Sequence, residues 1–457
     1  MNTLLTLTGI GVLAMLSEIF KVRKALYPVV IIGLLAAIGF AVADWDSNIR
    51  YYNDMMYFDN YAIAFSGVMI ATTLIWFILS SDFMRNHSHE SDYTALIIFS
   101  LAGAVVMVSY ADLSMFFIGL EILSIAMYIM AASNKNELRS NEAGFKYFIL
   151  GAFATGFLLF GVALIYGATG SFNLQEIAAY ASVNIGSLPA MFYAGIILMM
   201  VGLAFKISAA PFHFWAPDVY EGAPSPVTAY MSTVVKTAAF AAFLRLFTVC
   251  FSGLADWWGP IIAILSAMSM LGGNIMAVYQ KSLKRMLAYS SISHAGYMLM
   301  TIVALNDVSK GALLLYTAAY SIGSLGIFTL VLSMTRNFNE NISSLKGFSS
   351  IHKMPAFIIS VIMLSLAGIP PVAGFFAKYY VFTGALKSEY TWLVLIAVLS
   401  SLIGVYYYFK VIITIFQPAD RDSVQLHFPV NQQAVLWIVL VLTLALGLVP
   451  GLLVFLI

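Results

Sequence analysis

Four ionisable side chains lie deep within strongly apolar stretches of this sequence. They are Glu121, Lys206, Lys236 and Lys378. An ionised group at the centre of a bilayer costs about 2.5–3.5 kcal/mol on insertion scales, so such residues face a protein interior or a water-filled cavity and usually mark an ion path. Three lysines and one glutamate cannot all be paired at full charge. A buried lysine can gain and lose its proton at accessible pH, which is the property that a proton relay requires.

Two further residues are candidates for the same chemistry. His294 lies within the hydroxyl-rich run Ser290-Ser-Ile-Ser-His-Ala-Gly-Tyr297. An imidazole titrates near neutral pH and suits proton shuttling, although a lone membrane histidine is also often hydrogen-bonded to a neighbouring Ser or Tyr. Lys146 follows Glu142 by one helical turn. A structural ion pair and a role in transport both remain open for Lys146.

Prolines interrupt two of the apolar stretches that carry these lysines. Pro211 follows Lys206 closely, and the pair Pro370-Pro371 precedes Lys378. Proline inside a helix removes a backbone hydrogen bond and clashes with the preceding turn. An interrupted membrane helix in each half of a transporter points to an ion site between inverted repeats. A kink that only aids packing is the alternative for either interruption alone.

The composition identifies the elements that must position these groups. Of 457 residues, 61% are hydrophobic and 9% are charged, whereas soluble domains carry about 25% charged residues. The chain is therefore an integral membrane protein. A net charge of +1 gives no excess for binding nucleic acid, and the single cysteine excludes a disulfide framework. No P-loop, haem-ligating pair or metal cluster is evident, so we expect no cofactor, metal or redox centre in this chain.

A spanning helix needs about 20 mainly apolar residues, and this requirement predicts about fourteen such helices in an all-α bundle. Their approximate limits are Thr3–Ile19, Leu26–Val42, Tyr61–Leu79, Thr94–Tyr110, Leu113–Ala132, Ala143–Ala168, Ala190–Trp215, Pro226–Phe251, Pro260–Tyr279, Met286–Ala304, Ala312–Met334, Pro355–Phe382, Thr391–Phe416 and Ala434–Phe455.

The basic residues of the loops indicate the orientation. If the first helix enters from outside, the loops that follow odd-numbered helices hold most of them. These are Lys21, Arg23, Lys24, Arg85, Lys135, Arg139, Lys281, Lys284, Arg285, Arg336, Lys346, Lys353 and Arg421. The positive-inside rule then puts both termini on the outer side. Arg245 and Lys410 lie near segment ends, where we expect their long side chains to reach the lipid headgroups.

Several motifs keep their order over most of the chain and carry a family resemblance. The longest runs from Phe205-Lys206-Ile-Ser-Ala-Ala-Pro211 to Pro226-Val, with Lys236 ten residues on; the others are Gly119-Leu-Glu121, Glu142-Ala-Gly-Phe-Lys146, Lys284-Arg to His294-Ala-Gly-Tyr, and Gly368 to Lys378. The sequence resembles the antiporter-like membrane subunits of respiratory complex I, the bacterial proton-translocating NADH–quinone oxidoreductase. It is most similar to the N-type, because M-type members carry a glutamate where Lys378 stands and L-type members continue into a long lateral helix.

The resemblance implies two inverted five-helix repeats, each with a broken helix. The first repeat, 93–252, would form the inward half-channel and the second, 258–417, the outward one, with three helices at 1–92 before them and one at 432–457 after. Glu121 and Lys206 correspond to the Glu–Lys pair of the first repeat. Lys236 corresponds to the central lysine, and Lys378 to the terminal lysine near the outer half-channel.

The resemblance also implies a function, and two alternative functions remain open. The chain would move protons along Glu121, Lys206, Lys236, His294 and Lys378, driven by quinone reduction elsewhere in complex I. NADH, FMN, iron–sulfur clusters and quinone would bind other subunits. Its partners would be neighbouring antiporter-like and small membrane subunits in the bacterial inner membrane. The alternatives are a subunit of a multi-subunit Mrp-type Na⁺/H⁺ antiporter and a scaffold that conducts nothing.

Overall fold

The computed structural model describes residues 1–85, 89–335, 340–419, 426 and 428–457. The described part is almost wholly α-helical, which confirms the predicted fold class of an all-α membrane protein. Arg336 and Arg421, used above for the orientation, lie outside the described residues, as does the side chain of Arg85.

The N-terminal part holds three long helices and a small hairpin. Its elements are α1 (Asn2–Ile19), α2 (Arg23–Ala43), β1 (Ile49–Tyr51), β2 (Met56–Phe58) and α3 (Asn60–Arg85). The two strands pair antiparallel, with Ile49 opposite Phe58. The sequence analysis did not predict this hairpin, because three-residue strands are too short to show an alternating pattern.

The next part ends in a helix with a π-helical turn. Its elements are α4 (Glu90–Ser109), α5 (Leu113–Ala131), α6 (Leu138–Thr169), α7 (Leu174–Val183), α8 (Ala190–Lys206), α9 (Trp215–Gly222), α10 (Ser225–Tyr230), the π-helical turn Met231–Val235 and α11 (Lys236–Val249). The short α7 was also not predicted.

The remaining elements include the second broken helix. They are a 3₁₀ turn at Ser252–Leu254, α12 (Ala255–Val278), α13 (Leu283–Ala304), α14 (Ser309–Thr335), a 3₁₀ turn at Ile342–Leu345, α15 (Phe348–Ile351), α16 (Lys353–Ala367), α17 (Ala373–Lys387), α18 (Thr391–Phe416), α19 (Val430–Leu448) and α20 (Gly451–Val454).

Eleven helices within the described ranges are long and apolar enough to cross a membrane. The apolar α8 and α16 are shorter, and they are the first halves of the two interrupted helices. The count of fourteen spanning helices and the division into two repeats stay predictions. The segment Ser225–Val249 is enclosed by the other helices over most of its length and becomes exposed at Val249, whereas α1, α2 and α6 turn most of their surface outward.

The first interruption separates α8 from α9, as the proline predicted, and its freed backbone groups have partners. The indole Nε1 of Trp215 donates to the carbonyl oxygen of Phe205 at 3.0 Å. The amide of Ala210 donates to the hydroxyl of Ser269 at 2.8 Å. Unpaired backbone groups are unfavourable in lipid, so these two side chains allow α8 to end at Lys206 within the bundle.

The second interruption separates α16 from α17, again next to the predicted prolines. Gly368 follows α16 with a φ of 85°, a left-handed conformation that favours glycine. The amide of Gly374, at the start of α17, donates to the hydroxyl of Ser365 at 3.0 Å. One serine of the first half-helix therefore holds the beginning of the second.

Two basic residues lie in positions that differ from those predicted from the sequence. Arg245 does not reach the headgroups: only 5% of its side chain is exposed, and its Nη1 lies 3.0 Å from Oδ1 of Asp59. Lys284 is not a loop residue but a buried member of the first turn of α13, where its Nζ donates to the carbonyl oxygen of Ala223 at 2.6 Å. For Arg245, a partner within the protein replaces the headgroup region, and for Lys284, burial in a helix replaces the predicted place in a loop.

Candidate functional site

Lys206 ends α8 and directs its amine toward α5. Its side chain is 6% exposed, and Nζ donates to the hydroxyl oxygen of Ser124 at 2.6 Å. The ring centroids of Tyr128 and Tyr147 each lie 5.8 Å from Nζ. The carbonyl end of a helix carries partial negative charge, which favours a cation in this position.

Glu121 precedes Ser124 by almost one turn on α5, yet it does not contact Lys206. Its Oε1 is enclosed and has no hydrogen-bond partner in the part of the chain that the structure describes. No ion pair within 4.0 Å joins Glu121 to Lys206 among the described residues. The resemblance aligned the two as a Glu–Lys pair, and the structure shows no salt bridge between them.

Lys236 is the first residue after the π-helical turn and lies at the centre of the bundle. Its side chain is 3% exposed, and Nζ donates to both the carbonyl oxygen of Ser291, at 2.7 Å, and the hydroxyl of the same residue. The ring centroid of Tyr320 lies 5.9 Å away. Single π-helical turns occur frequently at functional sites, where they redirect a side chain.

His294 lies one turn beyond Ser290 on α13 and is held at both ring nitrogens. Its Nδ1 lies 2.8 Å from the hydroxyl of Tyr316, and its Nε2 lies 3.0 Å from the hydroxyl of Tyr408. The Tyr408 hydroxyl is also hydrogen-bonded to Ser290. Because a tyrosine hydroxyl both donates and accepts, this arrangement accommodates either neutral tautomer of the imidazole.

Lys378 extends from α17 back across the second interruption. Its Nζ donates to the carbonyl oxygen of Ala367 at 2.9 Å and to the hydroxyl of Ser401 at 3.0 Å. The amine also lies 4.9 Å from the ring centroid of Tyr297. Like Lys206, it occupies the negative end of an interrupted helix.

Two small cavities lie between the surroundings of Lys236 and those of Lys378. Each has a volume of about 10 Å³, which is room for about one water molecule. The first is lined by Ser232 and Ser290, the second by His294 and Ser365, and both reach Tyr320. Apolar side chains such as Leu366 complete both walls, so the polar groups cover only part of each cavity.

Lys146 differs from the other lysines because its side chain is 37% exposed. Its Nζ lies 2.7 Å from Oε1 of Glu142 and 2.8 Å from Oδ2 of Asp218. Asp218 also accepts from Nη1 of Arg285 at 3.1 Å. Burial raises the pKa of Asp218, but the hydrogen bonds from Lys146 and Arg285 outweigh this effect and the pKa lies below its ordinary value. The geometry favours the structural alternative for Lys146.

The partners of the buried amines are residues that the sequence analysis did not single out. Ser124, Ser291 and Ser401 accept from the three lysines, and Tyr316 and Tyr408 hold His294. The serines around His294 were noticed as a run, but single hydroxyls on other helices carry no periodic signal.

The family of the chain follows from its sequence. Residues 111–404 match the family described as NADH:quinone oxidoreductase/Mrp antiporter, TM. This range includes every candidate residue. The chain belongs to this family. The chain is 44% identical to NADH-quinone oxidoreductase subunit N of Flavobacterium psychrophilum, over 99% of each chain. It is 42% identical to the protein of the same name from Cytophaga hutchinsonii, over 93% of this chain and 92% of that one.

Solved structures of the NADH:quinone oxidoreductase/Mrp antiporter family share the fold. A chain of respiratory complex I from Thermus thermophilus with bound aureothin is 30% identical, with a TM-score of 0.84, over 99% of this chain and 98% of that one. A chain of the Mrp complex from Dietzia is 22% identical, with a TM-score of 0.88, over 99% and 95%. The second likeness shows the fold alone, so sequence identity rather than shape separates the two types.

Proposed function

We propose that this chain is the N-type proton-translocating membrane subunit of a respiratory NADH–quinone oxidoreductase. The near full-length identity to relatives named subunit N carries the assignment. The buried lysines Lys206, Lys236 and Lys378, each hydrogen-bonded to a serine hydroxyl, support proton transfer as the activity. An amine that is held by neutral acceptors can release its proton without breaking a salt bridge.

In the proposed mechanism, protons enter from the inner side near Glu121 and Lys206. They pass Lys236 and His294 and leave on the outer side past Lys378. Moving one charge against the membrane potential requires about 2.3 kcal/mol per 100 mV. Two unit charges 4 Å apart interact by about 4 kcal/mol at an effective dielectric constant of about 20, so changing one charge contact along the row is sufficient in magnitude.

The driving energy comes from quinone reduction in other subunits of the complex. NADH, FMN, iron–sulfur clusters and quinone bind there, and this chain supplies the translocase activity without a redox centre of its own. Its partners are the neighbouring antiporter-like and small membrane subunits. The chain lies in the bacterial inner membrane with both termini on the outer side, as the distribution of basic loop residues supports.

The test replaces each buried lysine in the assembled complex. Lys206→Ala, Lys236→Ala and Lys378→Ala should each lower the number of protons moved per electron in inverted membrane vesicles, because each removes one titratable site. Lys387→Ala is the matched control, since Lys387 is exposed at the end of α17. Full translocation in all three variants with normal assembly would remove the lysines from the mechanism, and altered assembly with unchanged translocation would support the scaffold.

The Mrp-type antiporter is the second candidate, because the description of the matching family covers Mrp antiporters as well. The two functions differ in what drives proton movement. Vesicles that hold the native complex should acidify when NADH is added and should not respond to a sodium gradient alone. Sodium-driven proton flux without quinone reduction would establish the antiporter instead.

A further inference from the structure

The amine of Lys206 is surrounded by aromatic rings as well as by its serine partner. Tyr128 and Tyr147 each place a ring centroid 5.8 Å from Nζ. The indole of Trp215 stacks on the ring of Tyr147, with centroids 4.7 Å apart and planes inclined by 14°. We call Tyr128, Tyr147 and Trp215 the aromatic enclosure. All three side chains are buried.

The hydrogen bonds of the Lys206 amine do not account for all of its N–H donors. An ammonium group has three N–H donors, and in the described residues its only hydrogen-bond acceptor is the hydroxyl of Ser124. That hydroxyl donates its own hydrogen to the carbonyl oxygen of Leu120, which leaves its lone pairs free for the amine. The negative faces of aromatic rings attract a cation within about 6 Å of their centroids, so the two tyrosines supply what further acceptors would otherwise provide.

The hydroxyl of Tyr147 shows that the ring is the important part of this residue. Its oxygen is buried and has no hydrogen-bond partner within the described ranges. Burying an unpaired hydroxyl is unfavourable, so what Tyr147 contributes to the site lies in its ring and not in its hydroxyl group. Trp215 in turn is fixed by its hydrogen bond to the carbonyl oxygen of Phe205 across the helix interruption.

The space for the enclosure is provided by a glycine. A Cβ atom added at Gly151 on α6 would collide with the hydroxyl of Tyr128. Gly151 is itself buried and helical, where glycine is otherwise unfavourable. Close approach of α6 to the ring of Tyr128 is therefore built into the helix packing.

We propose that Tyr128 and Tyr147 are positioning residues that hold the ammonium form of Lys206 at Ser124 through the faces of their rings, with Trp215 fixing Tyr147. This inference rests on the proposed function, because it assigns the rings to the proton-transfer step at Lys206. The enclosure keeps the charged amine in place beside Glu121 during the interval between proton uptake and release.

The test separates the electrostatics of a ring from its shape. In the assembled complex, Tyr128 is replaced by phenylalanine, by leucine and, through an expanded genetic code, by pentafluorophenylalanine, whose ring has nearly the same shape but a positive face. Tyr128→Phe should keep the proton-to-electron ratio. Leucine and pentafluorophenylalanine should each lower the rate of proton translocation roughly threefold or more. Equal activity of the fluorinated and unfluorinated rings would overturn the proposal and leave a packing role.

The same series at Tyr147 provides an independent measurement. Tyr147→Phe should translocate protons normally, and Tyr147→Leu should not, whereas Phe145→Leu is the control because Phe145 is exposed on α6 two positions earlier. In a Lys206→Ala background, removing either ring should cause no further loss. If Lys206→Ala, Lys236→Ala and Lys378→Ala all leave translocation unchanged, the proposed function fails; if only the ring variants are without effect, the aromatic proposal alone fails.

Discussion

The amine of Lys378 donates to the carbonyl oxygen of Ala367, the last residue of α16, at a distance of 2.9 Å. The side chain of Lys378 thus extends from α17 and donates a hydrogen bond to the last residue of α16. Lys206 reaches an equivalent electrostatic position by a different route, since it is itself the last residue of α8. Both interruptions create a negative helix end inside the bundle. At the second, the Lys378 amine contacts that end directly, and at the first, Lys206 is the last residue of the helix while its amine lies at Ser124.

Gly368 links Lys378 to this interruption, so we expect Gly368→Ala to abolish most proton translocation. Its φ of 85° disfavours any side chain by about 1–2 kcal/mol. An added Cβ would also lie 2.9 Å from Cδ of Lys378 and displace the amine. Gly170→Ala is the control, because Gly170 has a φ of 73° but open space around it. Proton-to-electron ratios measure the effect, and equal loss in both variants would show that backbone strain alone is responsible.

Ser291 holds the central lysine, and Ser291→Ala should lower proton translocation by roughly tenfold or more, the size of one hydrogen bond to a charged group. The carbonyl oxygen of Ser291 remains as a partner for Lys236, so the loss should be partial. Ser293→Ala is the matched control, since among the described residues the Ser293 hydroxyl donates to the backbone carbonyl oxygen of Ser290 and not to Lys236. Initial rates of vesicle acidification test this, and an unaffected Ser291→Ala variant would contradict it.

Tyr408 joins Ser290 to His294, and we expect Tyr408→Phe to reduce translocation about tenfold. The change leaves two buried polar groups without this partner, at about 1–3 kcal/mol each. Tyr406→Phe should have no effect, because the Tyr406 side chain is 60% exposed. The comparison is made at equal complex content, determined from NADH dehydrogenase activity. Normal pumping by Tyr408→Phe would remove the tyrosine hydroxyl from the relay.

Asp218 joins Lys146 to Arg285, and Asp218→Asn should lower stability without changing the proton-to-electron ratio. The carboxyl is 39% exposed, so solvent screening limits the loss to about 1 kcal/mol or less. Because the pKa of Asp218 is lowered in the folded protein, its stabilising effect is present at neutral pH and disappears as the pH falls through that pKa. Thermal unfolding of wild type and variant should therefore converge in acid. Reduced pumping at unchanged stability would instead assign Lys146 to the relay.

Much of the site was predictable because proline and buried charge act locally. Pro211 and Pro370-Pro371 indicated both helix interruptions, and the depth of the lysines within apolar runs indicated their burial. The contacts were not predictable, because Ser124 and Ser401 come from helices distant in sequence. The expected anchoring of Arg245 was wrong for the same reason: its partner Asp59 is 186 residues away.

Every residue of α13 except Arg285 is buried. Its polar side chains make it less apolar than the eleven helices described above as able to cross a membrane. Serines, a histidine and tyrosines replace the leucines and valines that give a nascent helix its own tendency to enter lipid. We therefore expect α13 to enter the bilayer together with its neighbours α12 and α14, which pack against it and shield its hydroxyl groups. The helix that carries His294 and Ser291 would then reach the bilayer as the bundle assembles around it.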